Sequence, residues 1–167
     1  TILFDLDGTL IDTAPDLMAA HNHVMQKYGR NKKKLSDIKT LASRGAWVMM
    51  QRSFKEEIND EKTKKKMVSE FIDFYAKNIN NDSKPIKGIF NFLNWAKSKN
   101  ISMNVCTNKK EFLAIDLLKK INMYKYFDYV AGADTFEFNK PDPRHLTNIV
   151  EIVGGNLNKT IMIGDSE

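Results

Sequence analysis

The chain has 167 residues, 42% of them hydrophobic and 28% charged, with a formal net charge of +5. This is enough apolar material for one compact domain with a modest second lobe, and it excludes a disordered chain. The lysine excess lies in runs such as 32–34 and 62–66, bordered by polar and acidic residues. It therefore reads as solvated helix faces and excludes a nucleic-acid surface, while still attracting a small anion.

Ile2 to Leu6 is a short apolar run ending in acid, as in a buried parallel strand. Asp5 and Asp7 interrupt it too early for a secretory signal, and no later apolar run approaches the roughly 20 residues that span a bilayer. Asp7-Gly8-Thr9 breaks the strand. A helix follows over Pro15 to Tyr28, with Thr13 as candidate N-cap, Asp16 in the first turn and Gly29 just past the end. Ser36 to Leu41 reads as a short helix, and Ser43-Arg44-Gly45 interrupts. Ala46 to Glu57 and Glu61 to Asn78 read as two more helices, the second with Met67, Phe71, Phe74 and Tyr75 on one side. Trp47, Met49 and Met50 read as core of this helical block.

A polar linker, Asn80 to Ser83, then gives way to alternation. Helices are expected over Ile89 to Lys99, Glu111 to Ile121 and Pro143 to Val153. Phe112, Ile115, Leu118 and Ile121 stand at core spacing on the middle one. Strands are expected over Ile101 to Cys106, Asp128 to Ala131 and Thr160 to Ile163. This alternation predicts an α/β fold, a Rossmann-like parallel sheet with helices on both faces. Residues 14–82 form a small all-helical cap inserted after the first strand, and 1–13 with 83–167 form the core. Cys106 is the only cysteine, so no internal disulfide or cysteine-based zinc site is expected, and a reducing cytoplasm fits.

Ligands of open parallel sheets bind beyond the carboxyl ends of the strands. Asp5 and Asp7, then Thr107 and Asn108, then Asp165 occupy such ends. Three carboxylates brought together repel unless a cation sits among them, and aspartate oxygens suit Mg²⁺. Two of them with different jobs also suit acid–base chemistry. Read singly, each residue has a plainer role. Asp7-Gly8 is a common turn dipeptide, Thr107 an ordinary helix cap, Lys140 a solvated loop lysine aimed by Pro141 and Pro143. His21, His23 and His145 lie on helices with no partner at ligand spacing and read as surface or packing residues.

As a set, the segments match a pattern. Phe4-Asp5-Leu6-Asp7-Gly8-Thr9-Leu10, then Thr107 at a strand end, then Lys140 in Asn139-Lys140-Pro141-Asp142-Pro143, then Gly164-Asp165-Ser166-Glu167, resemble the ordered signatures of the haloacid dehalogenase superfamily. Asp12-Thr13-Ala14-Pro15-Asp16-Leu17 resembles its phosphoglycolate phosphatase-like branch. The resemblance implies a phosphatase in which Asp5 attacks phosphorus and Asp7 serves as acid and then base. It implies that Thr107, Asn108 and Lys140 bind the phosphoryl group, and that Mg²⁺ sits on the Asp5 and Asp165 carboxylates and the Asp7 carbonyl. A small phosphate ester is the expected partner, with no nucleic acid or membrane, for a monomer or homodimer. Arg44 and Gly45, at a helix start in the cap, are candidates to contact the organic end of the substrate, although an exposed arginine there is as ordinary. The pattern's second acid after Asp165 is missing, so a C-terminally truncated core with an exposed edge strand is expected. A sugar phosphomutase of the same superfamily, or an inactive binding relative, shares the same motifs.

Overall fold

The computed structural model describes residues 1–34, 36, 48–50 and 60–165. In chain order its elements include β1 (Ile2–Phe4), β2 (Ile11–Asp12), α1 (Ala14–Lys27), α2 (Glu61–Lys77), β3 (Lys84–Pro85) and α3 (Ile89–Ser98). Then come β4 (Met103–Cys106), α4 (Glu111–Lys120), β5 (Tyr129–Ala131), α5 (Arg144–Ile152) and β6 (Ile161–Ile163). The chain divides into two compact units, one of Thr1–Asp12 with Lys84–Glu167, the other Thr13–Ser83.

The first unit is built on a four-stranded parallel sheet in the order β5-β4-β1-β6. Phe4 pairs with Val105 on one side and Ile163 on the other, so these strands end level with one another. Alternate residues of β1 serve opposite faces. Leu3 packs with Cys106, Ala131, Ile149 and Val150, which puts α5 on one face. Phe4 meets Phe92 and Phe127 edge-on, which puts α3 on the other. Both faces are covered, so the strands are mainly apolar, and β1 and β4 are buried at every position, Asn104 included.

Helix α4 departs from the spacing expected of it. Its buried residues are Leu113, Ala114, Leu117 and Leu118, while Phe112 is 54% exposed. Two apolar stripes one residue apart both satisfy the helical repeat. The stripe with four aliphatic residues is the one that packs. The two-residue antiparallel ribbon of β2 with β3 has no counterpart in the sequence reading. It is too short to carry a periodic signal.

In the helical unit, α1 and α2 pack together through Leu17, Ala20, Val24, Met67, Phe71 and Tyr75. Phe74 is half-buried and stacks on His23. Thr13 occupies the N-cap of α1 but makes no capping bond with its side chain. The cap that does form is Asp60 on α2, whose carboxylate accepts the Lys62 and Thr63 amides at 3.2 and 3.0 Å. Met49 and Met50 are buried, while Arg44, Gly45 and Trp47 lie outside the described residues.

Asp16 has a larger task than first-turn helix charge. Its carboxylate is 2% exposed and accepts the Asp82 amide, the Ser83 amide at 2.8 Å and the Ser83 hydroxyl at 2.6 Å. It ties the first turn of the unit to its last two residues, 66 and 67 positions away in sequence. Removing it takes the acceptor from two amides and a hydroxyl, the Ser83 groups being buried. Asp16→Ala is therefore expected to lower stability by about 3 kcal/mol, the order of a multiply hydrogen-bonded buried carboxylate. Urea unfolding measures this, and a loss under 1 kcal/mol, roughly one surface hydrogen bond, would contradict the tie.

Candidate active site

The sheet's polarity assembles the site. Asp5 follows β1, and its amide donates to the Ile163 carbonyl at 2.8 Å, extending the pairing with β6 by one residue. Thr107 follows β4 and donates its amide to the Ala131 carbonyl at 3.0 Å. Asp165 lies two residues beyond β6. All three stand at the carboxyl end of neighbouring parallel strands.

Asp5 and Asp7 are buried, at 3% and 4% exposure. Asp5 Oδ1 accepts the Leu6 amide at 2.7 Å, and Oδ2 lies 3.0 Å from Lys140 Nζ. Burial raises the Asp5 pKa above the ordinary carboxylate value. The Lys140 ammonium pulls the other way, and the neighbouring Asp7 charge adds to the rise. Asp7 has a different counter-charge. Its Oδ1 lies 2.9 Å from Lys109 Nζ, both side chains being about as buried as Asp5.

Lys109 is the residue that sequence reasoning misses. It follows Thr107 and Asn108 directly, and its type was the only available signal: a lysine at the carboxyl end of a buried strand. Its position depends on Gly132. A Cβ there would fall 2.3 Å from the Glu111 nitrogen and 2.6 Å from the Lys109 carbonyl oxygen. The loop after β4 thus runs hard against the loop after β5. The Ala133 amide bonds the Lys109 carbonyl at 2.8 Å, and the Thr107 hydroxyl accepts the Lys109 amide at 3.1 Å.

Lys140 is held through its backbone. Asn108 Nδ2 donates to the Lys140 carbonyl at 3.1 Å, and the Lys140 amide donates to His145 Nδ1 at 3.2 Å. One donor of Asn108 is therefore committed to the lysine loop. Its Oδ1, buried without a partner, is an acceptor and offers nothing to a phosphate oxygen. His145 is fully buried, so of the surface and packing readings the packing one holds for it.

Gly8 joins Asp165 to the group. Its φ is +81°, and a Cβ there would lie 2.3 Å from Asp165 Oδ2. Only a residue without a side chain admits the Asp165 carboxylate to the Asp5–Asp7 turn. Asp165 itself is exposed, and Ser166 and Glu167 lie outside the described residues. Among the described residues no three acidic, histidine or cysteine side chains form a metal-binding group. The carboxylates that Gly8 lets come together here, Asp5 with Asp165, are hard-oxygen donors. This fits Mg²⁺, which takes one or two carboxylates. Cys106, one residue before Thr107, is fully buried, and burial pushes its thiol up to about 12.

The haloacid dehalogenase-like hydrolase family matches residues 2–167. A phosphoglycolate phosphatase of Agrobacterium fabrum is 39% identical over 166 residues, 98% of this chain and 71% of its own length. That of Caulobacter vibrioides is 37% identical, covering 99% and 71%. Among solved structures, a predicted phosphoglycolate phosphatase from Haemophilus somnus superposes with a TM-score of 0.90 at 24% identity, over 98% of this chain and 76% of that one. A β-phosphoglucomutase from Clostridium difficile reaches 0.81 at 25% identity, over 99% and 76%.

The Asp5–Lys140 pair makes a titration prediction. The carboxyl of Asp5, followed by NMR in the metal-free protein, should titrate above the ordinary value of 3.8. Lys140→Met removes its largest pKa-lowering neighbour, so the midpoint should move further up. A midpoint that stays put or falls would show that Lys140 does not bear on Asp5.

Proposed function

The chain belongs to the haloacid dehalogenase-like hydrolase family and is a phosphatase of it, and from that premise we propose that it hydrolyses phosphoglycolate, or a close small phosphate monoester, by way of a phosphorylated Asp5. The observation that carries the proposal is the pair of buried aspartates with separate counter-charges, Asp5 on Lys140 and Asp7 on Lys109. Two carboxyls two residues apart, each with its own cation, are equipped for two different tasks.

Asp5 attacks phosphorus through a carboxylate oxygen, and the ester P–O bond breaks. Asp7 gives the departing alkoxide a proton, then takes one from the water that attacks the aspartyl-phosphate and frees Asp5. Lys109, 2.9 Å from Asp7 Oδ1, holds the Asp7 carboxyl in place for this exchange. Lys140 balances charge on Asp5 and on the phosphoryl oxygens, and the Thr107 hydroxyl and the second Nδ2 hydrogen of Asn108 are the other phosphoryl contacts. Mg²⁺, held by Asp5, Asp165 and the Asp7 carbonyl, supplies positive charge against the phosphoryl oxygens when bound. Asn108 supports this set through Lys140. The mutase alternative has a neighbour of the same fold at 25% identity behind it, whereas the relatives near 40% are phosphoglycolate phosphatases. Arg44 and Gly45 are proposed to contact the carboxylate of the substrate, since the phosphate-binding residues cannot tell one ester from another.

Asp5→Asn should abolish turnover of phosphoglycolate while the circular dichroism spectrum stays that of the wild type. Asp7→Asn should slow an alkyl phosphate far more than an aryl phosphate, because a good leaving group needs little proton help. Equal losses on both esters would remove Asp7 as the acid. Metal binding is read without activity. Mg²⁺ should raise Tm by mass action, and Gly8→Ala should suppress that rise. It should also cost about 1–2 kcal/mol from the left-handed backbone alone. A Gly8→Ala protein with an undiminished Mg²⁺ response would separate Asp165 from the metal.

A further inference from the structure

We propose that His145 is a positioning residue of the catalytic site, acting by holding the backbone of Lys140 so that its ammonium meets Asp5. The inference rests on the phosphatase reading of Asp5 and Lys140, and concerns a residue that touches neither substrate nor metal.

A histidine that is fully buried must use its ring nitrogens or bear the cost of hiding them. The Nδ1 of His145 accepts the Lys140 amide at 3.2 Å, across five residues. That bond specifies the tautomer. An Nδ1 that accepts carries no proton, so the neutral ring has its proton on Nε2, which is buried beside the Gly132 backbone without a regular hydrogen bond. Burial first, and then the nearby Lys140 charge, lower the His145 pKa and keep the ring in that neutral form. Its plane is set by Phe136, which meets it edge-on at 5.7 Å between centroids. The backbone around it is closed by the Asp142 amide on the Asn139 carbonyl at 2.9 Å and the His145 amide on the Asp142 carbonyl at 3.1 Å.

The result is a clamp on one residue. Asn108 holds the Lys140 carbonyl from the loop after β4, and His145 holds its amide from the first turn of α5. With both backbone groups fixed, the lysine side chain starts from a set point and reaches Asp5 Oδ2 at 3.0 Å. An apolar residue of similar size would fill the space but leave the Lys140 amide without its acceptor. Catalytic groups lose rate steeply when misplaced by small distances, so the loss should appear in kcat.

The test compares His145→Leu, which removes the acceptor, with His145→Asn, whose Oδ1 stands close to the position of Nδ1. With Mg²⁺ and phosphoglycolate, His145→Leu should lose about tenfold or more in kcat, the value of one well-placed hydrogen bond, with KM little changed. His145→Asn should stay within about threefold of wild type, inside the same scale. In a Lys140→Ala background the Leu change should cost little more in kcat, because the ammonium it positions is gone although the amide remains. Equal losses in Leu and Asn, no loss in either, or a full additional loss in the Lys140→Ala background would overturn the proposal. Nitrogen NMR of the wild-type protein supplies a readout independent of folding of the variants and of turnover. It should show an unprotonated Nδ1 on His145 and a slowly exchanging Lys140 amide at neutral pH. A protonated Nδ1 or a freely exchanging amide would also overturn it. A wild-type protein that shows this pair but turns over no phosphate ester would sink the phosphatase reading and leave the clamp intact.

Discussion

Two carboxylates buried two residues apart need counter-charge, and the loops of the catalytic unit are arranged around supplying it. Asp5 and Asp7 stand at the end of a strand flanked on both sides, where water cannot screen them. Two lysines answer, from two different loops, and each finds one aspartate at about 3 Å. Ion pairs of this kind add little net stability, since desolvation consumes most of the attraction. Their cost makes sense as function, because each carboxyl is left with its own electrostatic setting. The supports follow from the need. Gly132 lets the Lys109 loop lie against its neighbour, while Asn108 and His145 take the two backbone groups of Lys140.

The two units divide the labour along the same line. The sheet unit carries the groups proposed to handle phosphate chemistry, beyond the carboxyl ends of strands whose register makes them level. The helical unit is stabilised by its own means. Apolar packing joins α1 to α2, and a buried carboxylate fastens its beginning to its end. Its described residues contain nothing that would choose between one phosphate ester and another, so substrate selection is assigned to Arg44 and Gly45 by proposal alone.

Much of this was legible in the sequence because it is carried by local signals. Short, mainly apolar runs leading into Asp or Thr mark the buried parallel strands and the active end of the sheet together. Asp5, Asp7 and Thr107 stand out for that reason, whereas Lys140 stands out only through the resemblance of its segment, Asn139 to Pro143, to the family pattern. What stayed hidden is carried by contacts between segments. Lys109 resembles any loop lysine until the strand beside it puts its ammonium on Asp7. His145 sits on a helix with no ligand spacing around it, and its partner is a main-chain amide, which leaves no trace in side-chain patterns. Asp16 reads as first-turn charge, although its bonds reach residues more than sixty positions away. On α4 the periodicity admits two faces, and only packing chooses between them.

The burial of Cys106 has a consequence for how such a site meets its surroundings. The chain's one thiol adjoins Thr107 in sequence and packs with Leu3 and Ala131 under α5. With its proton held up to about 12, it offers almost no thiolate at neutral pH, and thiolate is the form that peroxides, alkylating agents and disulfides attack. A residue that could have been the weak point of a phosphoryl-transfer site is chemically silent there. Through this thiol, shifts in the thiol–disulfide balance of the medium therefore gain little hold on the site.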